Sequence, residues 1–292
     1  ERCHRYWWQN FLYVSNLVDN ADGKCYGAIA WYLSNEMQFF VFSPVVIYPL
    51  WKWRKVGFGI VAFLSLVTIL IPTMIIFFGS LPPTNIPTIE TRKRSYWENY
   101  YDKPWARFGS YLVGIVLGYI LYLQEKQSVL PRRLSRILII IGWASSTGLS
   151  LTIIYGAMFY FDPKNVQETL NSVHAAAYGG LHRYVWSLTI AWIIFACVND
   201  YGGCVNRILS AKIFVPLGRL AFSMYLVSYH VETSYFFQSV HPVRYSTYNI
   251  VSLFFGLMVI TGLGAYVLSM TIEFPCVQLE KLIFAPKPLP KR

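Results

Sequence analysis

The chain has 292 residues, of which 55% are apolar and only 13% are charged, and its net charge is +11. A soluble domain of this length usually has about a quarter of its residues charged, so this composition cannot cover a water-facing surface. It excludes a soluble globular fold and indicates a surface that contacts lipid. The 10 Trp and 22 Tyr residues agree with this, because both types concentrate where acyl chains meet lipid headgroups.

The hydrophobic pattern predicts an all-α, polytopic transmembrane helical bundle. A membrane-spanning helix needs roughly 20 predominantly apolar residues. Seven segments meet this requirement: 31–50, 57–79, 105–124, 136–160, 180–199, 213–236 and 248–271. The sequence therefore predicts a non-cytoplasmic amino-terminal segment at 1–30, a transmembrane domain at 31–284 and a cytoplasmic tail at 285–292.

Basic residues are divided unevenly between the two sides of this predicted bundle. The side with the loops after the first, third and fifth spans has thirteen Lys and Arg against four acidic residues, and the other side has nine against eight. Because short loops rich in Lys and Arg stay in the cytoplasm, the first side is predicted to be cytoplasmic. Orientation thus explains the positive charge, and the sequence predicts no soluble basic domain that would bind nucleic acid.

The five cysteines follow the same division. Cys3 and Cys25 lie on the predicted non-cytoplasmic side, which is an oxidising compartment. We predict a disulfide between them, with two free thiols as the alternative. Cys197, Cys204 and Cys276 lie at predicted cytoplasmic ends and are expected to be reduced. No spacing resembles a metal site.

Several ionisable side chains fall inside predicted spans, where a charge is costly and usually functional. Arg107, Arg183 and Arg219 lie near span ends, so they either bind substrate or extend to the lipid headgroups. His230 is either a general base or a hydrogen-bonded packing residue. Glu232 lies near the outer end of its span and is expected to reach water.

The most informative of these groups is Glu36, which lies one to two turns inside the first predicted span. Tyr32 precedes it by four residues, which places the phenol and the carboxylate on one helical face. Asn35 and Gln38 complete a polar cluster. A packing contact with a neighbouring span would explain the cluster. The functional alternative is a water-filled cavity in which Glu36 acts on the substrate while Tyr32, Asn35 and Gln38 bind it.

Three glycines of the third predicted span, Gly109, Gly114 and Gly118, fall on nearly one helical face. Small residues at this spacing allow two helices to approach closely. The pattern therefore predicts close helix packing along this face.

Five stretches carry recognisable motifs in a fixed order. The first, at residues 31–40, has the form W-Y-L-x-N-[DE]-M-Q-F. The others are Y-L-V-G…G-Y-I-L at 111–121, A-W-I-I-F-A-C followed by G-G at 191–203, P-L-G-R-L…Y-L-V at 216–227, and E-F-P…L-E-K-L at 273–282. Together they resemble the acyltransferase-3 family of membrane acyltransferases, and more closely its animal branch, the "nose resistant to fluoxetine" proteins. The resemblance covers nearly the whole chain.

The resemblance implies transfer of an acyl group from a donor such as acyl-CoA, as co-substrate, to a hydroxyl-bearing acceptor. No bound cofactor is expected, and membrane lipid surrounds the protein, in the plasma membrane or the endoplasmic reticulum. Arg132, Arg133 and Arg136 are candidates for contacts with acyl-donor phosphates. Their alternative role is to set orientation and to contact lipid headgroups.

Acyl transfer also needs a base for the hydroxyl proton and donors that stabilise the oxyanion. In the family a His in an early span, with an Arg upstream, is the usual candidate. The chain begins at Glu1 without Met, so we expect the amino-terminal remainder of the protein to supply that His. The family's late His aligns with Ser228, and two residues turn a helix by about 200°, so His230 is expected to face elsewhere.

Two other functions remain open at the level of sequence. A non-enzymatic membrane carrier of lipids or small hydrophobic molecules would use the same fold without a base. A channel is disfavoured, because the charges inside the predicted spans form no ring or repeated motif.

Overall fold

The computed structural model describes residues 2–18, 29–85, 93–126, 134–161, 173–238 and 246–284. These residues form helices joined by turns, and no strand occurs among them. The helices are α1 Arg2–Phe11, α2 Ala30–Lys52, α3 Arg54–Gly79, α4 Lys93–Tyr96, α5 Phe108–Glu125, α6 Arg136–Phe161, α7 Val173–Val198, α8 Gly203–Leu209, α9 Phe214–Gln238, α10 Thr247–Leu268 and α11 Phe274–Phe284. A π-helical turn, Trp97–Tyr101, follows α4, and a second, Ser269–Glu273, joins α10 to α11. The predicted all-α class is confirmed.

The number of membrane spans differs from the prediction. Five described helical segments are long and apolar enough to cross a membrane: α3, α5, α6, α7 and the continuous segment Thr247–Phe284. Counting α8 and α9 as one bent span gives six, so the predicted seven is reduced to five or six. α2 is absent from both counts: its length of 23 residues is sufficient, but it carries Asn35, Glu36 and Gln38 in its first half. These polar side chains lower its mean hydropathy.

The chain divides into two compact units, Glu1–Asn206 and Arg207–Arg292. In the first unit α3 packs against α2, α5 and α7, and α6 packs against α7. One buried cluster joins α2, α3 and α5 through Val46, Leu50, Val61 and Leu112. Another joins α3 and α7 to the segment that precedes α5 through Ile76, Leu81, Tyr96, Tyr100, Ala106 and Ala176. The Trp31 ring lies 5.3 Å from the Tyr101 ring, which places the segment 93–107 beside the first turns of α2.

Close packing along the glycine face of α5 is found only at its first position. A Cβ atom at Gly109 would lie 2.8 Å from Thr68 Oγ1 and 3.0 Å from the Tyr184 ring. At Gly114 and Gly118 a Cβ atom would meet nothing within 4 Å. The packing prediction is therefore wrong for these two glycines, because they border cavities rather than a described helix.

In the second unit α9 packs against α10, and one polar contact marks the interface. Ser223 on α9 is 1% exposed and donates a hydrogen bond of 2.6 Å to the Glu273 carboxylate. Glu273 ends the π-helical turn that joins α10 to α11. A π-helical turn displaces the following side chains relative to a regular α-helix. The turn therefore determines which side chain of this segment meets Ser223.

Candidate functional site

A polar cavity of about 540 Å³ lies between α2 and α5 in the first unit. The α2 side supplies Trp31, Tyr32, Asn35, Glu36 and Phe39, and the other side supplies Arg107, Ser110, Tyr111, Gly114 and Ile115. Because Gly114 has no side chain, it leaves the α5 wall open at this level. The cavity thus joins a carboxylate, a guanidinium and several hydroxyl groups in one space.

Glu36 and Tyr32 lie on the same face of α2, as their spacing predicts. The Tyr32 hydroxyl donates a hydrogen bond to the Glu36 carboxylate. Both side chains are exposed rather than buried between helices. A carboxylate accepts up to about four hydrogen bonds, so Glu36 keeps acceptor capacity for a ligand.

Asn35 and Gln38 have their hydrogen-bonding groups engaged by the protein itself. The Asn35 amide oxygen accepts from Asn16 Nδ2 at 2.7 Å, and its Nδ2 donates to the Asp102 carbonyl at 3.0 Å. Gln38 Nε2 donates to the Tyr13 carbonyl and to Asn16 Oδ1, each at 2.8 Å. These bonds attach the segment that follows α1 to α2. The structure shows a packing role for both residues, and their contact with substrate stays a prediction.

Two buried polar residues that the sequence did not single out meet beside α2: Asn16 in the segment that follows α1, and Lys103 in the segment that precedes α5. Asn16 is fully buried, and its carbonyl accepts a hydrogen bond of 2.9 Å from Lys103 Nζ. Lys103 is only 5% exposed. Both residues lie in loops, where a polar side chain usually faces solvent, so nothing in the sequence distinguished them.

Arg107 and Arg183 converge on the ring of Tyr101. Their guanidinium carbons lie 4.7 and 5.3 Å from its centroid. Arg107 also lies 4.8 Å from the Trp31 ring, and Arg183 lies 4.4 Å from the Tyr100 ring. A cation within about 6 Å of a ring centroid is attracted to it. The structure thus holds both guanidinium groups against aromatic rings of the protein.

Backbone carbonyls complete this arrangement. Arg107 Nε donates to the Tyr101 carbonyl at 3.3 Å, and an Arg183 terminal nitrogen donates to the Ala106 carbonyl at 3.4 Å. Among the described residues, no carboxylate oxygen lies within 4.0 Å of either guanidinium group. Aromatic rings and backbone carbonyls therefore surround the two guanidinium groups, but these neutral groups do not neutralise their positive charge.

Tyr100 anchors the aromatic group to α7. It is fully buried, and its hydroxyl donates a hydrogen bond of 2.7 Å to the Gly179 carbonyl. Burial raises the pKa of the Tyr100 phenol, although Arg183 and Arg107 act in the opposite direction. The phenol is therefore neutral at physiological pH and serves as a hydrogen-bond donor. The sequence analysis did not identify this aromatic cluster. The run of aromatic residues at 96–101, close to Arg107, is the sequence feature that could have indicated it.

Two apolar cavities adjoin the polar one. A cavity of about 420 Å³ shares Phe39 with it and extends along Phe42, Val46, Leu64 and Phe108. A cavity of about 490 Å³ shares Ile115 with it and reaches Leu50, Trp51, Gly118, Tyr119 and Tyr122. The polar cavity therefore has apolar space on two sides.

The remaining predicted site residues lie elsewhere. Arg136 begins α6 and is exposed, whereas Arg132 and Arg133 lie outside the described residues. Arg219 and His230 lie on α9 of the second unit, where the Tyr229 ring packs edge-on to His230 at 5.8 Å. The roles predicted for these residues stay predictions.

The pairing states of the described cysteines agree with the prediction, and their compartments stay a prediction. Cys3 is disulfide-bonded, and its predicted partner Cys25 lies outside the described residues. Cys197, Cys204 and Cys276 are free thiols. Within the described ranges, no group of three or more His, Cys, Asp or Glu residues is arranged to hold a metal ion.

Comparison with known proteins identifies the family. The family described as "Acyltransferase domain" matches residues 4–270. "Nose resistant to fluoxetine protein 6" of Caenorhabditis elegans is 29% identical over 299 residues, which cover 98% of this chain and 35% of that protein. "Regulator of hypoxia-inducible factor 1" of the same organism is 26% identical over 114 residues, which cover 33% of this chain and 21% of that protein. No solved structure matches the chain.

These matches agree with the apolar helices, which indicate an integral, multi-pass membrane protein. The chain spans about a third of the length of the first relative. Because the family match extends over nearly all of its residues, the chain belongs to the acyltransferase-3 family.

Proposed function

We propose that this chain is part of a membrane-bound acyltransferase, which moves an acyl group from a donor such as acyl-CoA to a hydroxyl group of an acceptor held in the Glu36 cavity. The observation that carries the proposal is this cavity, in which an exposed carboxylate and a guanidinium face one space within an acyltransferase-family chain.

The reaction joins the acceptor oxygen to the carbonyl carbon of the donor thioester and breaks the carbon–sulfur bond. The hydroxyl proton passes to a base, and the thiol leaves with a proton. Glu36 accepts a hydrogen bond from the acceptor hydroxyl and orients its oxygen, which raises the effective concentration of the reacting group. The base is the family's early His, which none of the motifs matched in this chain includes.

The surroundings of Glu36 support these roles. Tyr32 interacts with the carboxylate by a side-chain hydrogen bond on the same face of α2. Arg107 supplies a positive charge in the same cavity, where it would stabilise negative charge that develops on the carbonyl oxygen. The adjoining apolar cavities provide space for the acyl chain.

The proposal is tested by Glu36→Gln in the full-length protein, reconstituted in liposomes with a labelled acyl donor. Loss of the Glu36 charge is expected to lower kcat/KM about 10²-fold, which is the cost of a misplaced reacting group. Glu280→Gln is the matched control, because Glu280 is exposed on α11 of the second unit. Unchanged turnover in Glu36→Gln would remove Glu36 from the mechanism.

The apolar cavities favour a second candidate function, a carrier of lipids or small hydrophobic molecules. A carrier moves its cargo between membranes without changing it. Mass spectrometry of lipids incubated with the full-length protein and acyl donor separates the two functions. An acylated product supports the enzyme, whereas transfer of unmodified lipid between vesicles with no product supports the carrier.

A further inference from the structure

We propose that the acceptor held in the Glu36 cavity carries a phosphate group as well as its hydroxyl group, as a lysophospholipid with a free hydroxyl does. In this arrangement Arg107 binds the phosphate and Glu36 accepts the hydroxyl hydrogen bond. The inference rests on the proposed function and specifies the chemical class of its acceptor.

Arg107 is built into the cavity wall as an anion-binding group. The rings of Trp31 and Tyr101 lie 4.8 and 4.7 Å from its guanidinium carbon and fix the plane of the group. Its Nε is engaged by the Tyr101 carbonyl at 3.3 Å. A guanidinium group has five N–H donors in a fork that fits two phosphate oxygens. Contacts with the rings, through Nε and with the Tyr101 side chain hold this fork at the cavity wall. The N–H donors that these contacts do not use are available to a ligand that enters the cavity.

A second positive charge strengthens the preference of the site for an anionic ligand. Arg183 shares the Tyr101 ring with Arg107, and the two guanidinium groups repel each other. Two neighbouring cations within a membrane protein are unfavourable unless an anion balances them. Within the part of the chain that the structure describes, no carboxylate pairs with either. An anionic ligand supplies the missing charge.

Glu36 defines the other end of the ligand. Tyr32 lines the same cavity and interacts electrostatically with both Glu36 and Arg107. Glu36 and Arg107 line the same cavity but form no ion pair with each other at 4.0 Å or less. A ligand that satisfies both presents an anion to Arg107 and a hydrogen-bond donor to Glu36. A neutral alcohol would leave Arg107 unmatched, and a fatty acid would offer Glu36 no donor.

The apolar cavities beside the site indicate that the ligand also has an apolar part. The polar cavity of about 540 Å³ shares Phe39 and Ile115 with its apolar neighbours. A headgroup in the polar cavity therefore has room for its acyl chain on either side. This favours a phosphate carried by a lipid over free phosphate, which would leave the apolar space empty.

The test measures equilibrium binding, without turnover, to the full-length protein in nanodiscs of neutral lipid. Lysophosphatidic acid and monoacylglycerol with the same acyl chain are compared as ligands. One charge-assisted, bidentate contact is expected to make lysophosphatidic acid bind at least about tenfold more tightly. Equal affinities would overturn the inference. Inorganic phosphate is the third ligand, and binding of it as tight as that of the lipid would assign the site to free phosphate instead.

Variants connect the preference to Arg107. Arg107→Gln is expected to bring the two lipid affinities to within about threefold, and Arg107→Lys is expected to retain an intermediate preference, because Lys keeps the charge without the fork. Arg54→Gln is the matched control, since Arg54 is an exposed arginine at the start of α3. A preference that survives Arg107→Gln in protein with an unchanged melting temperature would overturn the assignment.

This binding result is independent of the activity result for Glu36→Gln. If that variant keeps full turnover while the wild type still prefers lysophosphatidic acid, the role of Glu36 in the reaction fails and the phosphate contact stands. If activity requires Glu36 but both lipids bind equally, the acyltransferase stands and the acceptor class fails.

Discussion

The substitution Asn35→Ala separates a structural role from a substrate-binding role in the polar cluster of α2. Asn35 is 2% exposed and joins three parts of the chain. It accepts a hydrogen bond from Asn16 and donates one to the Asp102 carbonyl. Alanine removes both bonds and leaves their partners in place. We therefore expect the main effect of the substitution to be a lower thermal stability of the protein, rather than a weaker contact with a ligand.

The magnitude follows from the two partners. A buried polar group that loses its partner costs about 1–3 kcal/mol. The Asp102 carbonyl loses the bond from Asn35, whereas the Asn16 amide keeps a weaker contact with Gln38 at 3.2 Å. The expected loss is therefore about 2–4 kcal/mol. At about 2 °C per kcal/mol for a large domain, the melting temperature falls by about 4–8 °C.

The assay is thermal unfolding of the purified protein in detergent, combined with hydrogen exchange. Residues 13–16 are expected to lose part of their protection, since the Asn16–Asn35 hydrogen bond is one of the contacts that attach them to α2. Asn99→Ala is the matched control, because the Asn99 side chain is exposed and donates to Ser95 at 3.0 Å. Its melting temperature should change by no more than about 1 °C. If both variants melt together with the wild type, Asn35 does not fasten these segments and the reasoning is refuted.

Two further predictions concern helix packing. Gly57→Ala is expected to destabilise the first unit by about 1–3 kcal/mol, because the new Cβ atom would lie 2.5 Å from the Leu50 Cα atom. Gly59→Ala is its control, since a Cβ atom there meets nothing within 4 Å, and alanine should leave stability unchanged or raise it. Equal melting curves for the two variants would contradict the close approach of α2 and α3. Ser223→Ala is expected to cost about 1.5–3 kcal/mol by removing the donor to the Glu273 carboxylate. Thermal unfolding measures this loss too, and an unchanged curve would show that the contact adds no stability.

Local sequence features were sufficient for the helical class and for part of the site. The Tyr32–Glu36 contact follows from a four-residue spacing, which in any α-helix places two side chains on one face. The packing role of Asn35 and Gln38 did not follow, because their partners lie in loops that helical periodicity cannot place. The open face at Gly114 and Gly118 was also mispredicted, since spacing alone does not say whether a helix or a cavity lies opposite.

By itself the sequence determined that this protein is a helical membrane protein of the acyltransferase-3 family, because composition, periodicity and ordered motifs are properties of the chain alone. Only the tertiary structure decided which charges share a space. Arg107 and Arg183 are 76 positions apart, and the fold brings both onto the ring of Tyr101. Contact between distant positions depends on how helices pack, which local patterns do not encode. The same packing brings Glu36 and Arg107 to the lining of one cavity.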